Sequence, residues 1–154
     1  SLDPNIKSHN YLNLVMADLE VRDRSSHAWA ILLDTRGYVS EGIGSNVFFV
    51  QAGELLTPKA AYVLPGVSRA VVLELAAAEG ISVRETDVSP EQARDSDEAF
   101  ITSTSFCICP VRSYDGAMLD AHGVPGTVTR QLSDAFSREA GFDFIGQYLG
   151  ALEG

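Results

Sequence analysis

One lysine, Lys7, stands out in a chain whose positive charges are almost all arginines. The 11 Lys+Arg residues include only two lysines. A guanidinium stays protonated in proteins, whereas a partly buried lysine amine can lose its proton. The uncharged amine is the nucleophile that forms a Schiff base with an aldehyde. We therefore take Lys7 as the candidate Schiff-base lysine and catalytic residue; the alternative is a solvated surface lysine just before a predicted helix.

Three turns rich in Gly, Ser and Thr follow Lys7, at residues 41–46, 64–69 and 102–105. In the second turn a glycine and a hydroxyl stand at a predicted helix start, where free N–H groups and the helix dipole favour a phosphate. The first turn carries a carboxylate, Glu41. An amine, phosphate cradles and a carboxylate near a ring nitrogen are what pyridoxal phosphate requires of a protein.

The order of these segments along the chain and the residues within each of them are more specific than their chemistry alone. The chain reads Ile-Lys-Ser-x-Asn-Tyr-Leu from Ile6, Gly-Tyr-Val-Ser-Glu-Gly-x-Gly-x-Asn-Val-Phe from Gly37, Leu-Pro-Gly-Val-Ser-Arg from Leu64, and a Thr/Ser turn that runs into Pro-Val-Arg at 110–112. This series resembles the class IV aminotransferases, the fold type IV family of branched-chain and D-amino acid aminotransferases. The resemblance runs from residue 3 to about residue 136 and matches only the C-terminal part of that family.

The resemblance implies a role for each matching residue. Lys7 is the Schiff-base lysine, which also moves a proton between the substrate carbon and the cofactor, and Tyr11 hydrogen-bonds the cofactor's phenolate oxygen. Glu41 keeps the pyridine nitrogen protonated. For Tyr11 the alternative is a core aromatic with a satisfied hydroxyl, and for Glu41 an exposed hairpin carboxylate.

The resemblance also assigns the cofactor phosphate and part of the substrate site. The backbone of Val67 and the hydroxyls of Ser68 and Thr104 contact the phosphate, although a serine in the place of Ser68 is more commonly an N-cap. Ser105 and Phe106 depart from the branched-chain pattern where relatives shape the substrate carboxylate site, so they are the candidate substrate-binding residues.

For the whole chain, the resemblance implies an α/β (mixed α+β) fold with a mixed sheet or pseudo-barrel and flanking helices, the C-terminal domain of the D-amino acid aminotransferase-like fold. Residues 1–154 form one cofactor-binding domain, and the family's N-terminal domain is absent. The implied reaction moves an amino group between an amino acid, branched-chain or D-, and a 2-oxo acid. The isolated chain is expected to be inactive and to form a homodimer or higher oligomer. The alternatives are a lyase resembling aminodeoxychorismate lyase, or a non-catalytic domain for cofactor binding or association.

Composition bounds the class of protein. A chain of 154 residues with 45% hydrophobic and 21% charged residues suits one globular domain. Its net charge of −10 opposes binding to nucleic acid. No apolar run reaches the roughly 20 residues of a membrane helix and no signal peptide is visible, so we expect a cytoplasmic protein. Two cysteines two residues apart suit neither a disulfide nor a zinc site, and we expect reduced, packed thiols.

Hydrophobic periodicity and turn residues predict the elements that position these groups. A helix over 11–21 carries an apolar stripe at Leu12, Val15, Met16 and Leu19, and a hairpin joins 28–33 to 38–50 with 41–46 irregular inside it. We further predict strands at 54–57, 81–88, 98–102 and 107–113, helices from 65–68 to Gly80, at 90–93 and at 124–139, and a turn at 115–116. Trp29 and Phe48 are expected in the core, and Arg69 and Arg112 on a helix surface or strand edge.

Overall fold

A computed structural model describes residues 12–25 and 28–152. Its helices are α1 (Leu12–Arg22), α2 (Val67–Ala78), α3 (Pro90–Arg94), α4 (Thr127–Ala140) and α5 (Phe144–Leu152), with a 3-10 turn at Ala60–Tyr62. Its strands are β1 (Ile31–Leu33), β2 (Val39–Gly42), β3 (Asn46–Gln51), β4 (Glu54–Pro58), β5 (Val83–Thr86), β6 (Glu98–Ser103), β7 (Cys107–Val111), β8 (Ser113–Tyr114) and β9 (Ala117–Met118). None of the helices in these ranges is long and apolar enough to cross a membrane.

A five-stranded mixed sheet in the order β5-β4-β3-β6-β7 forms the centre of the fold. The pairs β4–β3, β3–β6 and β6–β7 are antiparallel, whereas β5 pairs parallel with β4 after α2 carries the chain back along the sheet. The mixed sheet with flanking helices expected from the sequence is confirmed.

Both faces of the sheet are covered, which explains the continuous apolar run along β3. Phe48 and Val50 face one cluster, which α2 and α4 join through Val72 and Leu132. The alternate residues of β3 face a second cluster on the other side of the sheet, together with residues such as Leu56, Ile101 and Leu119. Alternate residues of a strand point to opposite faces, so a strand buried on both sides needs apolar residues at every position.

The predicted long hairpin is wrong in its second arm. Residues 38–50 form two strands, because the chain reverses tightly between Gly42 and Ser45, whose backbones exchange hydrogen bonds of 2.8 and 3.3 Å. Gly44, with φ +66°, supplies the left-handed conformation that this reversal needs. Strand β2 therefore pairs with β1 in a separate small sheet, and β3 pairs with β4. Glu41 lies within β2 and not in an irregular stretch.

The other predicted strands and helices are present with bounds shifted by a few residues, and four side-chain features differ from what the sequence indicated. Phe48 is fully buried as expected, but Trp29 is 51% exposed and the α1 stripe is exposed along its length. Arg69, expected on a surface, is only 5% exposed. Both cysteines are free, but Cys109 is exposed and not packed. Helix α5 was not predicted; it packs through Phe144, whose ring lies 5.6 Å from that of Phe136.

Candidate active site

The predicted site residues that the structure describes lie at one edge of the central sheet, where the strands end. In antiparallel pairing, the start of β3 lies beside the end of β6, and Asn46 is the partner of Thr102. The end of β4 and the start of β7 reach the same edge. Helix α2 begins a few residues beyond β4, so its N-terminus also belongs to this edge.

Two side chains hold the loop that leads into α2. Oε2 of the partly buried Glu41 accepts a hydrogen bond of 2.9 Å from the backbone N–H of Leu64. The side-chain amide of Asn46 donates to the carbonyl of the same residue, also at 2.9 Å. Both backbone polar groups of Leu64 are thus fixed, and the Glu41 carboxylate is held beside the entry to the helix. Asn46 therefore braces this loop.

Gly66 is the N-cap of α2, and no side chain caps the helix. A Cβ on Gly66 would lie 2.2 Å from Oδ1 of Asn46, so only glycine allows the loop to approach that closely. Ser68 is the second residue of the helix and is buried, which excludes the alternative that it is the N-cap. The contacts of the described residues provide no acceptor for the backbone N–H groups of Val67 and Ser68. The side chain of Val67 is 71% exposed.

The turn between β6 and β7 contains the other three predicted residues. Thr104 and Ser105 are exposed and Phe106 is partly buried, and the backbone N–H of Ser105 donates to Oγ of Ser103 at 3.1 Å. Thr102, at the base of the turn, is buried and its hydroxyl contacts no partner among the described residues. The pairing of Thr102 with Asn46 brings this turn to the edge that also carries Glu41 and the start of α2.

Sequence reasoning missed Trp29 as a neighbour of the site. Its ring meets Phe106 edge-on, with centroids 6.1 Å apart and an interplanar angle of 87°. Its Nε1 lies 3.2 Å from the position that a Cβ on Gly42 would occupy. Trp29 therefore bridges the β6–β7 turn and the residue next to Glu41. Its position before an apolar run signalled only a core residue.

The environment of Glu41 favours its protonated form. Burial raises the pKa of this carboxyl, and the hydrogen bond from Leu64 opposes that effect. A carboxylate in such a place gains from a cationic hydrogen-bond donor, which would supply the charge that water supplies at the surface. No group of three or more His, Cys, Asp or Glu side chains suited to a metal ion occurs within residues 12–25 and 28–152.

Lys7 and Tyr11 lie outside the described residues, so their roles stay predictions. The structure brings Glu41, the N-terminus of α2 and the β6–β7 turn to one edge.

Comparison with known proteins gives a consistent result. The chain is 41% identical over 128 residues to the branched-chain-amino-acid aminotransferase of Escherichia coli K12, covering 82% of this chain and 41% of that protein. A structure of the branched-chain amino acid aminotransferase from Thermobaculum terrenum in its PLP form superposes with a TM-score of 0.85 at 37% identity, over 93% of this chain and 47% of that one. The chain thus spans less than half the length of these relatives, and it matches their C-terminal part.

Another similar structure is of a protein named as a different kind of enzyme. A Legionella pneumophila protein assigned as a 4-amino-4-deoxychorismate lyase superposes with a TM-score of 0.75 at 25% identity, over 85% of this chain and 49% of that one. The sequence pattern of the class IV amino-transferases matches residues 1–114. The match takes in most of the chain and all the residues of the site, and this protein belongs to the class IV aminotransferase family.

Proposed function

We propose that this chain provides the cofactor-binding part of a pyridoxal phosphate-dependent aminotransferase. The observation that carries the proposal is the hydrogen bond between Glu41 and the backbone of Leu64. It fixes a partly buried carboxylate beside the uncapped start of α2, so one rigid unit offers an acceptor for a ring cation and donors for a phosphate.

The described residues fit the cofactor. Two buried hydroxyls at this edge, on Ser45 and Thr102, have no hydrogen-bond partner among the described residues, as is expected where a ligand or ordered water completes the network. Gly42 and Gly66 each sit where a Cβ would clash with a neighbouring side chain, so both let the side chains of Ser45 and Asn46 approach the backbone closely. The donor set, made of backbone N–H groups and hydroxyls, suits a phosphate.

Each of these residues would bind or orient one part of the cofactor. One oxygen of the Glu41 carboxylate would keep the ring nitrogen protonated, while the backbone N–H of Leu64 fixes the other carboxylate oxygen. The backbone of Val67 and the hydroxyls of Ser68 and Thr104 orient the phosphate. When bound, pyridoxal phosphate supplies an electron sink for the charge that develops at the substrate α-carbon. The amine of Lys7 would hold the cofactor at its aldehyde carbon, with the aldehyde oxygen leaving as water, and would move the α-carbon proton; the Tyr11 hydroxyl would orient the ring.

We further propose that Ser105 and Phe106 contact the substrate, which is a branched-chain or D-amino acid or the 2-oxo acid that accepts the amino group. The likeness to named branched-chain enzymes supports the aliphatic class. Because those relatives are more than twice as long as the matched region, we propose that the complete reaction needs residues outside residues 1–154. A homodimer or higher oligomer in the cytoplasm is part of the same proposal.

The second candidate is a lyase of the same fold, which the superposition on the Legionella protein favours. Supplying alanine or glutamate with a 2-oxo acid separates the two. Amino exchange supports the transaminase, and release of a product without exchange supports the lyase. If cofactor binds and neither reaction occurs in any assembled form, a non-catalytic binding domain is the remaining function.

Titration of the chain with pyridoxal phosphate, followed by the cofactor's absorbance, tests the proposed site. Thr104→Ala removes a hydroxyl contact to a charged group, so we expect about tenfold weaker binding. Thr127→Ala is the matched control. It removes another exposed threonine hydroxyl, at the start of α4 beside Glu98 and the opposite edge of the sheet, and should leave the affinity unchanged. Equal affinities for both variants would contradict the assignment.

A further inference from the structure

Arg69 is a buried arginine in the first turn of α2, next to Ser68. Its exposed fraction is 5%, although arginine is among the residues least often buried. Its Nη2 donates to Oε2 of Glu85 at 2.7 Å and to the carbonyl of Pro58 at 3.1 Å. Nothing in the proposed function uses this side chain.

The two acceptors lie on neighbouring strands. Pro58 is the last residue of β4, and Glu85 lies in β5, where it pairs with the residue before Pro58. One guanidinium group therefore spans the parallel pair and ties the first turn of α2 to it. The Cβ of Arg69 is 3.8 Å from the position of a Cβ on the N-cap Gly66, so the tie acts at the start of the helix. The apolar anchors Val72 and Ala76 hold α2 one and two turns further on.

Stability alone does not account for an arginine at this position. Its Nε is buried and has no acceptor among the described residues, and an unsatisfied buried donor destabilises the folded state. Buried ion pairs are often no more stable than apolar side chains of similar size. What an arginine adds is reach and weak hydration, since its terminal Nη2 reaches acceptors on both strands and a guanidinium is more weakly hydrated than the ammonium group of a lysine.

We infer that Arg69 is a positioning residue for the phosphate site. By fixing the first turn of α2 against β4 and β5, it sets the direction of the backbone N–H groups of Val67 and Ser68. This inference rests on the proposed function. It predicts an effect on the phosphate group of the ligand and none on the rest of the cofactor.

The selectivity of the chain for the phosphorylated ligand measures the effect of Arg69 on phosphate binding alone. It is the ratio of the Kd for pyridoxal, which lacks the phosphate, to the Kd for pyridoxal phosphate, both measured by absorbance on the purified chain. We expect Arg69→Gln to lower the ratio about tenfold while the Kd for pyridoxal changes less than twofold. Arg69→Gln removes the charged group that reaches Glu85 and Pro58, so a wild-type ratio in that variant would overturn the inference.

Substitutions of Glu85 test the same tie when Arg69 variants do not fold, as judged by circular dichroism. Glu85→Gln keeps an acceptor for the guanidinium and should leave the ratio within twofold of wild type. Glu85→Ala removes the acceptor and should lower the ratio about threefold. Equal ratios for these two variants would overturn the inference. A wild-type chain that binds both ligands equally would instead contradict the phosphate site of the proposed function.

Discussion

Replacing Glu41 with glutamine separates the structural and chemical tasks of this carboxylate. Burial raises the pKa of Glu41 above 4.5, the value for an isolated side chain. The folded state therefore keeps the proton to higher pH than the unfolded state. The stability that this group contributes is fully present below the unfolded pKa and is lost as pH rises through the folded pKa. Glutamine has no charge to desolvate and can still accept the N–H of Leu64.

The expected magnitudes follow from these contacts. At pH 4.5, Glu41→Gln should match the wild type within about 0.5 kcal/mol, because the hydrogen bond to Leu64 is preserved. At pH 7.5 the variant should be more stable by up to about 1 kcal/mol, a modest figure because the side chain is only partly buried. Glu41→Ala leaves the Leu64 N–H without its acceptor and should be less stable by about 1 to 3 kcal/mol.

The cofactor should reverse this order. A charged carboxylate gains a charge-assisted hydrogen bond to the protonated ring nitrogen, whereas glutamine forms a neutral one of roughly half the strength. Wild type should therefore bind pyridoxal phosphate about tenfold more tightly than Glu41→Gln. In an assembled, active enzyme the same variant should slow removal of the α-proton strongly, because the ring nitrogen loses the partner that keeps it protonated.

Thermal unfolding at pH 4.5 and 7.5, with and without pyridoxal phosphate, measures all of these effects. Other titrating groups are shared by wild type and variant, so the difference between the two proteins reports Glu41. A midpoint gain of about 2 to 4 °C for Glu41→Gln at pH 7.5 is expected without cofactor. If that gain is absent, or is larger at pH 4.5, the burial argument is wrong. If added cofactor stabilises both proteins equally, Glu41 is not the ring partner.

Three further predictions test other parts of the site. Borohydride treatment of the cofactor-loaded protein should fix a pyridoxyl group on Lys7. The other lysine, Lys59, forms an ion pair of 2.6 Å with Asp87, and a label found there by peptide mapping would contradict the assignment. Trp29 is the single tryptophan and contacts Phe106, so its fluorescence should fall on titration with pyridoxal phosphate. Phe106→Ala is the control for loss of the aromatic contact alone. Unchanged emission at saturation would place the ligand elsewhere. The purified 154-residue chain should bind the cofactor weakly and show no measurable transamination. It should also self-associate, because the apolar stripe of α1 is exposed. Amino exchange at an ordinary transaminase rate would show that these residues suffice for the reaction.

Much of the architecture could be predicted from local sequence. Helix α2 and the strands β6 and β7 follow from apolar periodicity and from turn residues, which act over a few positions and need no knowledge of distant contacts. The candidate site residues were also named from their order along the chain. Apolar periodicity, however, reports which residues share a face and not what covers that face. The stripe on α1 was therefore predicted correctly as a stripe, yet it is exposed.

The amino-acid sequence alone specifies the chemical groups that are available: one of two lysines, placed before a helix, a carboxylate in a glycine-rich segment, and hydroxyls at two later turns. The contact between Glu41 and Leu64, 23 residues away, and the burial of Arg69 against two strands are visible only in the folded chain. The reason is that such contacts depend on strand register and helix placement. Both are fixed by long-range packing, and neighbouring residues along the chain carry no signal of them.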